Sequence, residues 1–324
     1  MVGLAIVGFG SIGREHASSI VKLSEAELVG VYDVSYEARR FAREKYGVKS
    51  YGKLEELLRD PSVDGVVVCT PPYIHAEVCS KAAQAGKHVF CEKPLTASWD
   101  DALKLRDVVR SSGIKFMTGF VLRYFPVYVE VEKLLSTGKL GKVYSVLLTD
   151  AGGLYPLGAG DFRRFKRLNA GIGEQLIHEV DALRFLAGDA AKVYARGGRF
   201  KHEVLDYEDN IVILATMENG AIGTILGSLT AKLYRRDGYL ICENGTVAFD
   251  LRNSTVEARI DGEEFKVKPE RNNPFLDEMR DFVSWLKTGK KPKATFEDGF
   301  KAQEILEAAY RSIEESREVI LPLS

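Results

Sequence analysis

The chain has 324 residues, 45% of them hydrophobic, enough for two buried cores. Its 45 basic and 46 acidic side chains leave a net charge of −1, which gives no electrostatic footprint for nucleic acid or an anionic membrane surface. Four cysteines (Cys69, Cys79, Cys91, Cys242) lack C-x-x-C spacing, so neither a zinc site nor a redox pair is expected, and no run of 18 apolar residues suggests a membrane span.

The first half alternates strand and helix. Val2–Val7 is a continuous apolar run, the pattern of a strand covered on both faces. Residues 1–10 are too short and too uncharged for a secretory signal and run straight into a glycine motif. A helix is predicted over 12–23, a second strand over 27–33, and a helix through Tyr46 with Ser35 as its N-cap. A short helix at 53–59 ends at Asp60-Pro61. Strands follow at 63–69, 87–91 and 114–118, with helices at 75–85 and 98–111 between them. Gly47, Gly86 and Gly113 each follow a helix, where a residue with positive φ is wanted. Cys69 and Cys91 fall in strand runs as buried reduced thiols, which fits a cytoplasmic protein. Repeated βα units predict an α/β Rossmann domain, a doubly wound parallel sheet, over residues 1–119.

The rhythm then changes. After a helix near 126–135, a strand at 143–149 and a helix at 174–187, closely spaced strands dominate. Asn219-Gly220, Asn244-Gly245 and Asp261-Gly262 each separate two β-rich runs and favour the φ > 0 pairs of type I′ turns. Hairpins are predicted for 211–216 with 221–229 and for 238–242 with 246–250. Helices at 274–287 and 296–315 finish the chain, the last a candidate to pack back on the first domain. Residues 120–324 thus read as an α+β domain with a large open, mainly antiparallel sheet, serving substrate binding and oligomerisation. An open sheet needs its exposed face covered, so a homodimer or homotetramer through this sheet is expected.

Gly8-Phe9-Gly10-Ser11-Ile12-Gly13 follows a strand and opens a helix, the context a dinucleotide fingerprint requires. Gly8 permits the tight turn, Gly10 lets a pyrophosphate approach the helix N–H groups, and Gly13 allows close helix–strand packing. Asp33 ends the next strand, where a carboxylate accepts from the adenosine ribose and repels a 2′-phosphate. NAD is favoured; Arg39 and Arg40 keep NADP open. Thr70-Pro71-Pro72 ends the fourth strand and leaves a turn free to pass near the cofactor. His75, just beyond, either touches the cofactor or caps the helix it begins.

Glu92-Lys93-Pro94 lies at the carboxyl end of the fifth strand, where ligands bind in such sheets. There Lys93, stiffened by its proline, would point an ammonium at the captured cofactor; a surface salt bridge is the ordinary alternative. Glu174, His178 and Asp181 are spaced four and three apart and share a helical face, while Leu176, Val180, Leu183 and Ala187 form the opposite apolar stripe. His178 reads as a general base with a carboxylate neighbour, against a structural histidine or a metal ligand. No further histidine cluster completes a metal site, so none is expected. Arg123 holds substrate or ties the domains together. Asp161, in the glycine-rich excursion 152–173, and Tyr234, between strands of the second sheet, are further substrate-binding candidates.

The ordered set Gly8-x-Gly10-x-x-Gly13, Thr70-Pro71-Pro72-x-x-His75, Glu92-Lys93-Pro94, Arg123 and His178-x-x-Asp181 resembles the Gfo/Idh/MocA oxidoreductases, the relatives of glucose–fructose oxidoreductase and inositol dehydrogenase. The likeness covers almost the whole chain. It implies a nicotinamide cofactor, a sugar, cyclitol or related polyol as substrate, and a Lys93 that lies at the nicotinamide before a bond that is often cis. One departure stands out: family members oxidising inositol or sugars commonly carry aspartate where this chain has Glu174. The expected function is NAD-dependent hydride transfer to or from a secondary alcohol, with Lys93, His178 and Glu174 catalytic. A redox-neutral glycosidase on the same scaffold and a non-catalytic NAD-binding regulator are the alternatives.

Overall fold

The computed structural model describes residues 1–158 and 160–323; Ser324 and Ala159, the latter inside the 152–173 excursion, lie outside the described residues. Strands β1 (Val2–Val7), β2 (Ala26–Tyr32), β3 (Lys49–Tyr51), β4 (Gly65–Val68), β5 (His88–Glu92) and β6 (Phe116–Gly119) form a parallel sheet in the order β3-β2-β1-β4-β5-β6. The order reverses between β1 and β4, which opens a crevice at their carboxyl ends. All six residues of β1 are buried, as its unbroken apolar run requires.

Helices α1 (Ser11–Ile20), α2 (Tyr36–Tyr46), α3 (Leu54–Arg59), α4 (Pro72–Gln84) and α5 (Trp99–Ser112) connect these strands. Their ends follow local chemistry. Ser35 Oγ accepts from the Ala38 N–H at 3.2 Å and Ser98 Oγ from the Asp101 N–H at 3.2 Å. Gly47 and Gly113 close α2 and α5 at φ 68° and 69°, a conformation that costs other residues steric strain.

In the second half, helices α6 (Pro126–Ser136), α7 (Lys166–Asn169) and α8 (Gly173–Ala187) accompany a nine-stranded sheet. Its strands are β7 (Val143–Gly153), β8 (Ala190–Gly198), β9 (Asn210–Met217), β10 (Ile222–Ser228), β11 (Thr230–Cys242), β12 (Gly245–Asp250), β13 (Thr255–Ile260), β14 (Glu263–Val267) and β15 (Val319–Ile320). The order is β14-β13-β12-β11-β7-β10-β9-β8-β15, antiparallel except for β7 beside β10. Of the three expected type I′ dipeptides, Asp261-Gly262 has both residues at positive φ, 51° and 88°. Asn219-Gly220 has it at Gly220 alone. At Asn244-Gly245 the two-residue turn is Glu243-Asn244, because Gly245 already pairs with Cys242 and Ile260. A Cβ on Gly245 would come 2.4 Å from the Arg259 carbonyl oxygen, so that glycine serves strand contact instead of the turn.

Helix α8 lies on this sheet through an interlock. A Cβ on Gly223 would lie 2.5 Å from Leu183, and one on Gly227 2.2 Å from Leu176. The leucine stripe of α8 therefore drops into places where β10 has no side chain.

The chain divides into two compact units, Met1–Val121 with Asn273–Phe300, and Leu122–Asn272 with the residues from Lys301 on. The return to the first unit is made by helix α9 (Pro274–Thr288) and the residues to Phe300, while most of α10 (Phe296–Glu315) belongs to the second. Met279, Phe282 and Val283 are the buried face of α9, and Phe282 meets the Phe90 ring at 5.8 Å. Lys115 Nζ donates to the carbonyls of Trp285 at 2.7 Å and Leu286 at 3.2 Å, a cation at the helix C-terminus. The amphipathic spacing of α9 predicts a buried face but not which sheet it covers. Among the described residues no helix is long and apolar enough to cross a membrane.

Candidate active site

In the first unit, the glycine turn is built by near-contacts. Gly8 has φ +92°, and a Cβ there would lie 2.7 Å from the Cys69 carbonyl carbon and 2.8 Å from the Thr70 nitrogen. A Cβ on Gly13 would lie 2.2 Å from the Gly8 oxygen, whereas one on Gly10 would meet nothing within 4 Å. The open side of the turn is thus at Gly10, which precedes α1 without a side-chain cap. Ser11 and Ile12 are exposed beside it. The Phe9 ring is fully buried near Phe41 and Tyr46, so Phe9 presents only its backbone to the turn.

Asp33 is fixed by two main-chain donors. Its Oδ2 accepts from the Phe9 N–H at 2.6 Å and its Oδ1 from the Ser35 N–H at 2.7 Å, leaving each oxygen a further lone pair. Arg39 donates to the carbonyls of Asp33 and Val34 beside that carboxylate. Arg40 instead pairs with Glu37 at 2.7 Å and Glu44 at 3.7 Å on the exposed side of α2. Thr70 Oγ1 is buried at the end of β4 without a partner among the described residues. An open glycine, a helix start without a side-chain cap, a fixed carboxylate and an orphan hydroxyl are what a dinucleotide's pyrophosphate and ribose hydroxyls would satisfy.

The Lys93–Pro94 bond is cis. The Glu92 carboxylate is turned back to hold this loop: Oε2 accepts from the Lys93 N–H at 3.1 Å and Oε1 meets Nε2 of the buried His16 of α1 at 2.7 Å. His16 is packed edge-on by Phe90 at 4.9 Å and Phe275 at 5.5 Å. These bonds make Glu92 a residue that fixes Lys93. His75 is likewise turned inward, with both ring nitrogens at main-chain oxygens. Pro71 is the N-cap of α4 and Pro72 its first residue, where a missing N–H costs nothing.

In the second unit, α8 is buried on nearly every side, and His178 is 8% exposed with Glu174 one turn before it in the first turn. Asp181, expected beside His178, forms two hydrogen bonds to Arg123, from Nε at 2.8 Å and Nη2 at 2.5 Å. Arg123 is 5% exposed and lies over the Phe185 ring at 4.9 Å. These two bonds tie Arg123 to α8.

Glu179 escapes the sequence reading. It is 1% exposed and accepts from Arg236 Nε at 2.8 Å, with Asp150 3.6 Å from the same guanidinium. Burial pushes its carboxyl up to about 7 against the pull of Arg236. A signal existed: Glu179 lies three after Leu176 and four before Leu183, on the sheet-facing stripe, where an acid demands a buried partner.

Asp161 accepts from the Arg163 N–H at 2.9 Å and pairs with the Arg163 guanidinium at 3.3 Å, capping the 3-10 turn Phe162–Arg164. Tyr207, also unforeseen, donates to the Arg163 carbonyl at 2.7 Å. Burial pushes its phenol up to about 12; Asn169 opposes, and Glu174, Asp206 and Asp161 add to the rise. Glu174 and Asp161 therefore share the field around one tyrosine. Tyr234 is half exposed and lies inside β11, not between strands, at a break in register against β7. Its ring packs on Gly152, where a Cβ would come within 3.2 Å. Among the described residues no group of three His, Cys, Asp or Glu side chains is placed to hold a metal ion.

Two family models match the chain: an oxidoreductase family with an NAD-binding Rossmann fold over residues 2–120, and the Gfo/Idh/MocA C-terminal domain over residues 128–248. The chain is 28% identical to the myo-inositol 2-dehydrogenase of Thermotoga maritima, covering 98% of both proteins. It is 30% identical to an uncharacterized oxidoreductase of Streptococcus pneumoniae, covering 82% of this chain and 72% of that one. A solved structure of a probable dehydrogenase from Thermotoga maritima, 28% identical, superposes with a TM-score of 0.85 over 99% of both chains. With the glycine turn, the fixed Asp33 and the order of strands already in place, these matches establish that the chain belongs to the Gfo/Idh/MocA oxidoreductase family and carries its NAD-binding Rossmann domain.

Proposed function

We propose that the protein transfers a hydride between NAD and a secondary alcohol or ketone of a sugar, cyclitol or related polyol. The observation that carries this reading is the fixing of Lys93, whose backbone is held through Glu92 to α1, the helix that the glycine turn opens.

NAD, when bound, supplies the hydride acceptor. The Gly8–Gly13 turn would hold its pyrophosphate, Asp33 its adenosine ribose, and Thr70 a further hydroxyl. Taking hydride from a carbinol requires its oxygen to lose a proton. The Lys93 ammonium stabilises the negative charge that develops on that oxygen. His178 accepts the proton as general base and returns it in the reverse direction. Glu174, one turn before His178, orients the imidazole or holds a neighbouring hydroxyl. The inositol-acting relative puts cyclitols first among candidate substrates. Glu174 carries one methylene more than the aspartate common in the family, which favours a substrate whose neighbouring hydroxyl lies further from the helix.

The test is a panel of inositols, aldoses, anhydrosugars and sugar phosphates with NAD or NADP, followed by the absorbance of the reduced cofactor. Turnover of a polyol is expected. Failure of every candidate, together with no NAD binding by calorimetry, overturns the proposal. The same reading includes self-association through the exposed face of the nine-stranded sheet.

A further inference from the structure

His75 carries an observation that the proposed chemistry leaves unused. The ring is 1% exposed in the first turn of α4, and each nitrogen faces a main-chain oxygen. Nδ1 lies 2.9 Å from the Pro94 oxygen and Nε2 2.7 Å from the Thr70 oxygen. A carbonyl oxygen only accepts. A neutral imidazole has one N–H and one lone pair, so either tautomer would set that lone pair against a carbonyl at hydrogen-bond distance. The imidazolium, with two N–H groups, satisfies both contacts. The geometry points to His75 as a protonated, buried cross-link between the Thr70 turn and the Lys93–Pro94 peptide, a positioning residue for Lys93.

The surroundings agree. Pro94 directly follows Lys93, so the cross-link acts one residue from the ammonium-bearing side chain, while His16 holds Glu92 on the other side. Burying a cation is costly unless its protons are bonded, and both are, at distances typical of charge-assisted bonds. Facing the ring is Cys91 of β5, whose thiol donates to the Glu92 carbonyl at 3.4 Å. Glu92 is turned to His16. Burial alone would lower the ring's pKa; the Cys91 sulfur and the two carbonyl oxygens outweigh it and push the ring up to about 9. Burial also pushes the Cys91 thiol well above its ordinary value, so near neutrality it keeps its proton, and there the two carbonyl bonds are what hold the charge on the ring. A histidine raised in this way stabilises fully below its ordinary pKa, and the contribution is lost as pH rises through about 9.

The positioning role rests on the proposed assignment of Lys93; the protonation state does not. Nitrogen-15 NMR of the labelled full chain reads both ring nitrogens directly. Two protonated nitrogens on His75 are expected from about pH 6 to about pH 8, the range in which an ordinary histidine loses its proton. The signals are assigned by their loss in His75→Gln. If that variant does not fold, substituting His16, His88, His178 and His202 in turn assigns them by elimination among the five histidines. A ring nitrogen without a proton in that range overturns the proposal. Where His75→Gln folds, kcat is expected to fall about tenfold, equivalent to about 1.4 kcal/mol, with affinity for NAD unchanged. An unchanged kcat overturns the positioning role. If instead the Lys93 assignment is wrong, Lys93→Met keeps its activity while the two protonated nitrogens persist.

Discussion

Lys93 and His178 are asked to do different work, and their variants should separate it. Lys93→Met removes the charge at the reacting oxygen and keeps the stem, so kcat is expected to fall by about 10²–10³ with NAD affinity, read by calorimetry, little changed. His178→Asn removes the base, with a fall of about 10²–10⁴ and loss of the acid limb of the kcat profile. Arg123 makes a contrasting case. Arg123→Leu leaves the Asp181 carboxylate buried without its guanidinium, an expected loss of about 3–5 kcal/mol in urea denaturation, and a paired Asp181→Leu change should recover much of it. At this scale the chain was partly legible. Lys93 and His178 stand out because a strand end and a helical repeat place them. The partner of Arg123 did not, because nothing in the spacing of residues 123 and 181 brings them together.

Elements are fixed here by a few close approaches. Gly227→Ala would put a methyl against Leu176, and a loss of about 1–3 kcal/mol is expected, relieved in part by Leu176→Ala. The hairpin joining β8 and β9 depends on Asp209, which accepts N–H bonds from Phe200 at 2.9 Å, Lys201 at 2.8 Å and His202 at 2.8 Å. Burial works against its charge, but these donors and Asn210 prevail and pull its pKa down to about 2. Its contribution is therefore present above the ordinary carboxyl pKa of about 3.9 and is lost as pH falls through about 2. Thermal melts of Asp209→Asn should lie below wild type at about pH 6 and converge with it towards about pH 2. The strands and helices themselves were readable because apolar runs, caps and glycine stops are local signals. Asp209 was not, since its partners are backbone groups across a loop, and Gly245 was misread as a turn residue because strand contact leaves no trace in a dipeptide.

The nine-stranded sheet has one face under α8 and another that stays open. Leu147, Val212, Leu214, Ile222, Leu226, Tyr239 and Ile241 lie on adjacent strands of that face, each between 41% and 51% exposed. Leu147 stands opposite Tyr239, and Leu226 opposite Val212, so the patch is continuous. A shallow concavity of about 730 Å³ lies on the same region, bordered by Leu147, Tyr239 and Lys266 and lacking every residue proposed for catalysis. Apolar continuity of this extent favours a second copy of the chain as its cover. Light scattering should find a dimer or tetramer, and Leu147→Lys with Leu226→Lys should yield monomer with the fold retained by circular dichroism. A wild type that is monomeric at tens of micromolar would remove this reading. The interleaved units have a consequence for biosynthesis. The helix that covers β1 and Phe90 comes from residues 274–288, so the nucleotide unit stays incomplete on the ribosome until most of the chain has been made. A nascent chain stopped before Pro274 carries the whole glycine turn yet lacks the ring of Phe275 that packs His16, and through it Glu92 and Lys93.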